Sequence, residues 1–400
     1  MKNMEKGNSY IWEQTLHYNQ TFGDHTVELL VGNSYEKYNW YGLYAQNFNL
    51  EYPNDNFAYL SSAADAGDKT SDGTYENVLI SYFARANYDW KEKVLFTFNF
   101  RADGSMKFGN DNRFGYFPSV SLGYVPTRET WWSVPVINFL KIRGSWGRNG
   151  SNANLGSYDY VSIIDFGYYA GRYPTPADQV LNGAKPSRVA NSKLKWETSE
   201  QIDLGLDMGV LSNKLFVTAD FYRKDQKDFL AESTVPYYVG NPSPIINAGT
   251  IRNTGVELDI RYTGLASEFK YSITASVSYL HNKVLEMPDN VIPYEGVTVG
   301  SGASSGIINR FEVGEPVWYF WGYKTNGFFT DVADVTSYVN QYDSIYQPDA
   351  IPGDVKFVDV NGDGTIDQDD KVKLGKPLPT WMYGCLLYTS DAADEEDSVD

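Results

Sequence analysis

Six side chains are spaced to do recognisable chemistry: Asp359, Asn361, Asp363, Thr365, Asp367 and Asp370. They fall at the first, third, fifth, seventh, ninth and twelfth places of one loop, with Gly364 at the sixth, which is the spacing of an oxygen-ligated calcium loop. Hard carboxylate and amide oxygens crowd one point, the glycine permits the sharp turn, and Thr365 offers its backbone carbonyl. The twelfth place is Asp rather than the bidentate Glu of helix–loop–helix sites. The flanks Val355–Val358 and Lys371–Lys373 do not read as two long helices. The expectation is therefore a lone calcium loop that stiffens a long excursion. A metal-free Asn/Gly/Asp turn is the alternative.

No comparable constellation points to catalysis. His17, His25 and His281 lie far apart and lack metal-ligand spacing. Asp103-Gly104-Ser105 is a turn before it is a nucleophile, and Gly300–Gly306 lacks the lysine of a phosphate-binding loop. The chain does not read as an enzyme. Aromatic clusters are better candidates for binding, because flat rings suit pyranose faces or peptide side chains. They comprise Trp40, Tyr41 and Tyr44; Tyr168, Tyr169 and Tyr173; Tyr237 and Tyr238; and Trp318, Tyr319, Phe320 and Trp321. Trp40, Tyr41, Tyr169, Tyr173, Trp318 and Trp321 are taken as substrate candidates, with packing of one loop on another as the competing reading.

The elements that would position these residues show a period of two. Val78, Ile80, Tyr82, Ala84, Ala86, Tyr88 and Trp90 share one face, while Ser81, Arg85, Asn87 and Asp89 share the other. After Lys91-Glu92-Lys93 the pattern resumes with Val94, Phe96, Phe98, Phe100 and Ala102 against Thr97, Asn99, Arg101 and Asp103. The same alternation recurs from Leu140, from Gln201, from Leu215, from Val256 and from Tyr271, and a hairpin surrounds Gly23-Asp24-His25. About eleven or twelve strands follow from this pattern, each about ten or more residues long, enough to cross a bilayer on a tilt.

Connections alternate in length. Short ones sit near 23–25, 91–93, 211–214 and 264–269, with a somewhat longer one near 126–138, and long ones cover about 37–77, 104–115, 148–196, 225–250 and 284–379. Short periplasmic turns opposite long extracellular loops are the habit of an antiparallel transmembrane β-barrel. One strand face carries Arg85, Arg101, Asp103, Arg143, Asp207, Glu257 and Arg261, which a dry sandwich core would not tolerate and a wet lumen would. The other face is almost free of charge. Tyr88, Trp90, Trp131, Trp132 and Trp196 near strand ends fit interfacial aromatic girdles. Composition agrees: aromatics make up 16% of the chain, 35 residues are Gly, and mean hydropathy is −0.42, as two-faced strands require. A net charge of −18 without a basic stripe excludes nucleic acid as a partner. The single cysteine, Cys385, excludes an intrachain disulfide.

Several strings resemble the SusC/RagA family of TonB-linked outer-membrane proteins of Bacteroidetes. They are Arg101–Gly109, Gly115–Ser121, Leu140–Gly147, Leu194–Thr198 with Gly205–Asp207, Asn247–Gly249 with Asn253–Glu257, and Pro352–Lys356 running into Asp359–Gly364. The resemblance covers about residue 10 to residue 384 and keeps the family's order. It implies an outer-membrane barrel of 22 strands, of which this chain supplies about half, closed around an N-terminal plug. It also implies a SusD-like surface lipoprotein as lid, TonB as the energy source through a missing N-terminal segment, outer-membrane lipid around the barrel, and glycan oligomers or peptides as cargo. The alternative is a secreted all-β carbohydrate-binding protein stabilised by calcium.

Residues 1–384 are thus expected to form a partial barrel domain, with 284–379 as one long extracellular loop. The N-terminus lacks the apolar core of a signal peptide, so Met1 is not expected to be the true start. Residues 385–400, which hold six acids and no base, depart from the family and resemble a translated sequencing adapter, hence an aberrant acidic tail.

Overall fold

The structure is a computed structural model. It describes residues 2–46, 69–166, 172–174, 180–233, 238, 240–266, 269–288, 294–296, 298–300 and 306–391. Eleven strands form one antiparallel sheet in which each neighbours the next in the chain. They are β1 (Lys2–Phe22), β2 (His25–Gln46), β3 (Lys69–Trp90), β4 (Val94–Ser105), β5 (Phe114–Tyr124) and β6 (Ile137–Ser151). The others are β7 (Glu197–Val210), β8 (Leu215–Lys227), β9 (Thr250–Ala266), β10 (Phe269–Glu286) and β11 (Trp381–Asp391). No helix among the described residues is long and apolar enough to cross a membrane.

The pairing register keeps the two faces apart across the whole sheet. Phe98 stands beside Ala86 and Val120, and Leu206 beside Ile142 and Ala219. On the other face Asn99 stands beside Arg85 and Ser119, and Asp207 beside Lys141 and Thr218. Because side chains alternate along a strand, a register slip of one residue would put every charge into the apolar row. Tight turns fix the register at one end. Lys91 and Glu92 take φ of 55° and 54°, and the Asp89 carboxylate accepts the Glu92 N–H at 2.7 Å.

The strands reach further than the two-faced pattern does. The long loop expected over 37–77 is partly strand, since β2 runs to Gln46 and β3 starts at Lys69. Above the apolar rows both faces become polar, so the sequence contrast fades, while backbone pairing continues regardless of side-chain polarity. The segment 284–379 is also more than a loop. It holds a small sheet of Tyr294–Glu295, Asn309–Phe311, Tyr319–Tyr323 and Lys371–Gly375. A two-stranded ladder of Thr325–Phe328 with Val355–Phe357 and a helix at Val332–Ser337 complete it. Strands of two to five residues are too short to print a period. β11 stays paired with β10 through Asp391 opposite Phe269, beyond the boundary expected at Gly384, because Leu386, Leu387 and Tyr388 suit a strand.

At the end carrying the long connections, three of them meet strand β5 in an apolar cluster. Phe108, Phe117, Leu155, Leu194, Trp196 and Leu230 are all buried together. Trp196 lies 4.9 Å from Phe108 and 5.5 Å from Phe117 between ring centroids, and its Nε1 donates to the Arg113 carbonyl at 3.1 Å. This corrects the girdle assignment of Trp196: the ring is only 8% exposed and binds loops together instead of facing lipid. Phe229, Ala248, Val284 and Phe311 form a second cluster, which docks the 284–379 excursion onto β9 and β10.

Candidate functional site

The polar face of β3, β4 and β5 forms a groove lined by Phe83, Arg85, Asn99, Arg101, Asp103 and Ser119. Its groups are linked across the strands. Arg85 Nε donates to Asn99 Oδ1 at 2.7 Å, and Asn99 Nδ2 donates to Ser119 Oγ at 3.1 Å. Arg101 Nε donates to both Asp103 oxygens, at 2.7 and 2.8 Å, and its Nη2 reaches the buried Ser81 Oγ at 2.8 Å. A second cluster lies across β6, β7 and β8. Arg143 donates to Asp220 Oδ2 at 2.7 Å and to Asp207 Oδ2 at 3.1 Å. It passes over Gly205, where a Cβ would sit 2.4 Å from the guanidinium carbon. Pairing Arg101 and Arg143 with carboxylates limits the cost of partial desolvation, and Arg85 bonded to an amide oxygen adds a further oriented group to the inner wall. Such a wall suits hydroxyls and amides. The sequence showed these charges as a polar row, but which of them touch is decided by register between strands.

The expected substrate aromatics separate. Trp40 is paired with Tyr75 and shares the polar face with Tyr38, which packs on Tyr75 at 6.1 Å. Tyr41 is the next residue along β2, so its side chain leaves the opposite face of the strand, although both residues border one cleft with Tyr75 and Tyr158. Trp318 has φ of 53°, packs on Phe311 at 5.4 Å and remains 38% exposed. Trp321 gives one ring face to the Arg310 guanidinium at 4.2 Å and meets Tyr319 edge-on at 6.1 Å. Tyr168, Tyr169 and Tyr237 lie outside the described residues, as does the Tyr173 side chain, although its backbone belongs to the short strand Arg172–Pro174.

The calcium-like segment is a tight turn built on its own carboxylates. Asp359 accepts the N–H groups of Gly362 at 2.6 Å and Gly364 at 2.8 Å, and Asn361 Oδ1 accepts that of Asp363 at 2.8 Å. Asp363 accepts both the N–H and the hydroxyl of Thr365 at 2.8 Å, and Asp367 accepts Asp369 N–H at 2.8 Å. Asp370 is fully buried and takes Val360 N–H at 2.8 Å, Asn361 N–H at 3.3 Å and Asp367 N–H at 2.8 Å. Gly364 has φ of 94°, which a side chain would strain. Among the described residues, no three His, Cys, Asp or Glu side chains already converge as a metal cage. The donor set is nevertheless all oxygen, as a hard divalent cation requires.

Asp370 predicts how this turn responds to acid. Burial alone would raise its pKa, but the N–H groups of Asp367, Val360 and Asn361 outweigh burial and hold it below the ordinary carboxylate value. A depressed folded pKa stabilises above the unfolded value of about 3.9 and is lost as pH falls through the folded one. The Val360 and Asn361 amides should therefore stay protected from deuterium exchange at neutral pH and open only in acid below about pH 4. Opening between pH 6 and pH 5 would contradict this.

Three comparisons bear on the arrangement. The profile of the family described as TonB dependent receptor-like, beta-barrel, matches residues 3–368. TonB-dependent receptor P3 of Formosa agariphila is 29% identical over 377 residues, covering 93% of this chain and 36% of that protein. TonB-dependent receptor SusC of Bacteroides thetaiotaomicron is 30% identical over 312 residues, covering 77% of this chain and 29% of that protein. The chain thus spans about a third of the length of these curated relatives. Among solved structures, the RagAB peptide importer in its open-open state aligns with a TM-score of 0.78 at 20% identity, over 97% of this chain and 39% of that one. That likeness establishes the fold.

Proposed function

Since the chain belongs to the TonB-dependent receptor β-barrel family of the outer membrane, we propose that it supplies the central wall and extracellular loops of an importer for oligosaccharides or peptides. Cargo would pass along the inner face, where Arg85, Asn99, Arg101, Asp103 and Ser119 present oriented hydrogen-bonding groups. The whole protein would draw energy from TonB through its N-terminal segment and work beneath a SusD-like lipoprotein, as the resemblance to SusC/RagA proteins implies. One observation carries the reading: register holds an uncharged face and a hydrogen-bonding face apart over eleven strands. Family membership also sets aside the secreted binding protein, because these relatives are outer-membrane receptors. They are receptors and not enzymes.

The test is uptake by cells carrying the whole protein with its neighbouring lipoprotein. Labelled oligosaccharides and oligopeptides should be taken up in a TonB-dependent manner by one class or the other. Asn99→Ala combined with Arg85→Ala should weaken cargo binding by about tenfold, since each lost hydrogen bond is worth roughly 0.5–1.5 kcal/mol. Uptake of neither class, with the barrel present in the membrane, would refute the proposal.

Calcium at the 359–370 turn is part of the same proposal. Asp359, Asn361, Asp363, Thr365, Asp367 and Asp370 would hold the ion, which would stiffen the 284–379 excursion. Calorimetry should show calcium binding to the purified protein and its loss in Asp359→Ala. Equal affinity in the variant, or no heat with the unaltered protein, would remove the site.

A further inference from the structure

The groove on the polar face of β3, β4 and β5 is positive, in a chain whose net charge is −18. Its lining holds three guanidinium groups, Arg85, Arg101 and Arg148, against one carboxylate, Asp103. Arg101 is committed to Asp103, whose two oxygens accept its Nε. Arg148 borders the far edge on β6 and approaches Glu200 to 3.9 Å. Arg85 is placed differently. Its Nε donates to the neutral Asn99 amide at 2.7 Å, and among the described residues no carboxylate lies within ion-pair distance of it. Its partner across β2 is Leu30. The next acid along that face of β2, Glu28, stands opposite Asn87 and accepts Asn87 Nδ2 at 3.2 Å and Asn19 Nδ2 at 3.5 Å. Asp89, further along β3, accepts the Glu92 N–H. Arg85 is exposed, and both of its terminal nitrogens keep their donors.

The surroundings keep that end of the guanidinium accessible. Arg85, Asn99 and Ser119 form one rung, and Phe83, Arg101 and Phe117 form the rung nearer the long loops. A Cβ at Gly32 would come within 2.7 Å of the Phe83 ring, and one at Gly150 within 2.0 Å of the Phe117 ring. Each ring therefore lies over the strand on its far side from β4, β2 for Phe83 and β6 for Phe117, and the middle of the groove is left to polar groups. The space is about 660 Å³, inside the roughly 300–1,000 Å³ of small-ligand sites. It has room for one or two rings of an oligomer.

We propose that this groove reads charge on the cargo, with Arg85 taking the carboxylate of a uronic-acid residue in an oligosaccharide. The fork of a guanidinium matches a carboxylate in two parallel hydrogen bonds. On the same rung the Ser119 hydroxyl, which accepts Asn99 Nδ2, still has its own proton to donate, and Asn99 Nδ2 has a second. Those donors suit the hydroxyls of the same sugar ring. A peptide is served less well here, because β3, β4 and β5 are each paired on both sides and offer no open edge for an extended chain to join. The inference rests on the import reading and narrows its cargo.

The test uses the whole importer purified with its neighbouring lipoprotein in detergent. Calorimetry would compare uronic-acid oligomers of several sugars with the methyl esters of the same oligomers. The acids should bind about tenfold more tightly than the esters, through one charge-assisted pair, and lose that advantage as salt rises. Arg85→Gln should weaken the acids about tenfold and the esters far less, while Arg85→Lys should keep part of the preference through its point charge. Lys214→Gln, in the turn at the opposite end, should bind both as the unaltered protein does. The acid–ester comparison needs no variant, so it stands even if Arg85→Gln fails to fold. Equal binding of acids and esters, an undiminished preference in folded Arg85→Gln, or no binding of any uronate would overturn the proposal. So would tighter binding of oligoglutamate than of every uronate, which would place the carboxylate on a peptide. TonB-dependent uptake of neutral oligosaccharides without any response to charge would sink this inference and leave the import reading standing.

Discussion

Trp196→Ala should loosen the extracellular loops by about 3–5 kcal/mol, the usual cost of deleting a large buried ring. The ring fills the space between Phe108, Phe117 and Leu194, and these residues come from three separate stretches of chain. Its removal opens a cavity where those stretches meet and takes the Nε1 donor from the Arg113 carbonyl, which keeps only the Ser105 N–H. Second contacts such as Asn112 Nδ2 to the Lys193 carbonyl at 3.2 Å would not hold the loops alone. Limited proteolysis should show new cleavage near 106–113 and 188–195, with the membrane-embedded strands still protected. Trp196→Phe should keep most of the packing and lose only the hydrogen bond, roughly 0.5–1.5 kcal/mol. If Trp196→Ala left the cleavage pattern unchanged, the apolar cluster would not be what orders these loops.

Leu258→Arg should destabilise the barrel by about 2–4 kcal/mol, whereas Ser276→Arg should cost roughly 0–1 kcal/mol. The two positions are on neighbouring strands, one residue out of step. Leu258 pairs with Val277 and Ala219 on the uncharged face, and Ser276 pairs with Asp259 on the polar face. An arginine at 258 must desolvate in hydrocarbon or drag water into it. An arginine at 276 meets an aqueous lumen and the Asp259 carboxylate, which accepts the Ser276 hydroxyl it replaces. Unfolding of both variants in detergent and in lipid vesicles, followed by the temperature of the gel shift, would show the difference. Similar costs at both positions would mean that the two faces meet the same medium.

The contrast between 258 and 276 also shows why so much of the fold was legible in the sequence. Strand residues alternate sides, and a chain that separates oil from water must write that alternation into its side chains. Val78–Trp90 and Val94–Ala102 could be read as neighbouring strands before any pairing was known. The contrast disappears at Lys37–Gln46 and Lys69–Asn77, where both faces meet water, yet pairing continues there rung by rung. Short strands such as Asn309–Phe311 print no period at all, and the small sheet in the excursion was missed for that reason.

Particular sites divide along the same line. Asp359 to Asp370 act within one turn, so their spacing alone revealed them, and Asp370 closes that turn by accepting three backbone N–H groups. Trp40 and Tyr41 are adjacent in sequence, so the strand sends their side chains to opposite faces even though both residues border one cleft, a distinction only the paired strand makes visible. The Trp196 ring looked like an interfacial anchor, since a ring at a strand end satisfies that pattern equally well.

By itself the sequence determined the two-faced strands, the membrane they imply, the alternation of short and long connections, and the local calcium-like turn. Each of these is set by neighbours within a few residues. Only the tertiary structure decided that Arg143 sits between Asp207 and Asp220, that Trp196 joins Phe108 and Phe117, and that Arg85, Asn99 and Ser119 share one rung. Those groupings depend on which strand lies beside which and in what register, and residues such as Arg143 and Asp207, 64 positions apart in the chain, carry no local trace of meeting across a ladder.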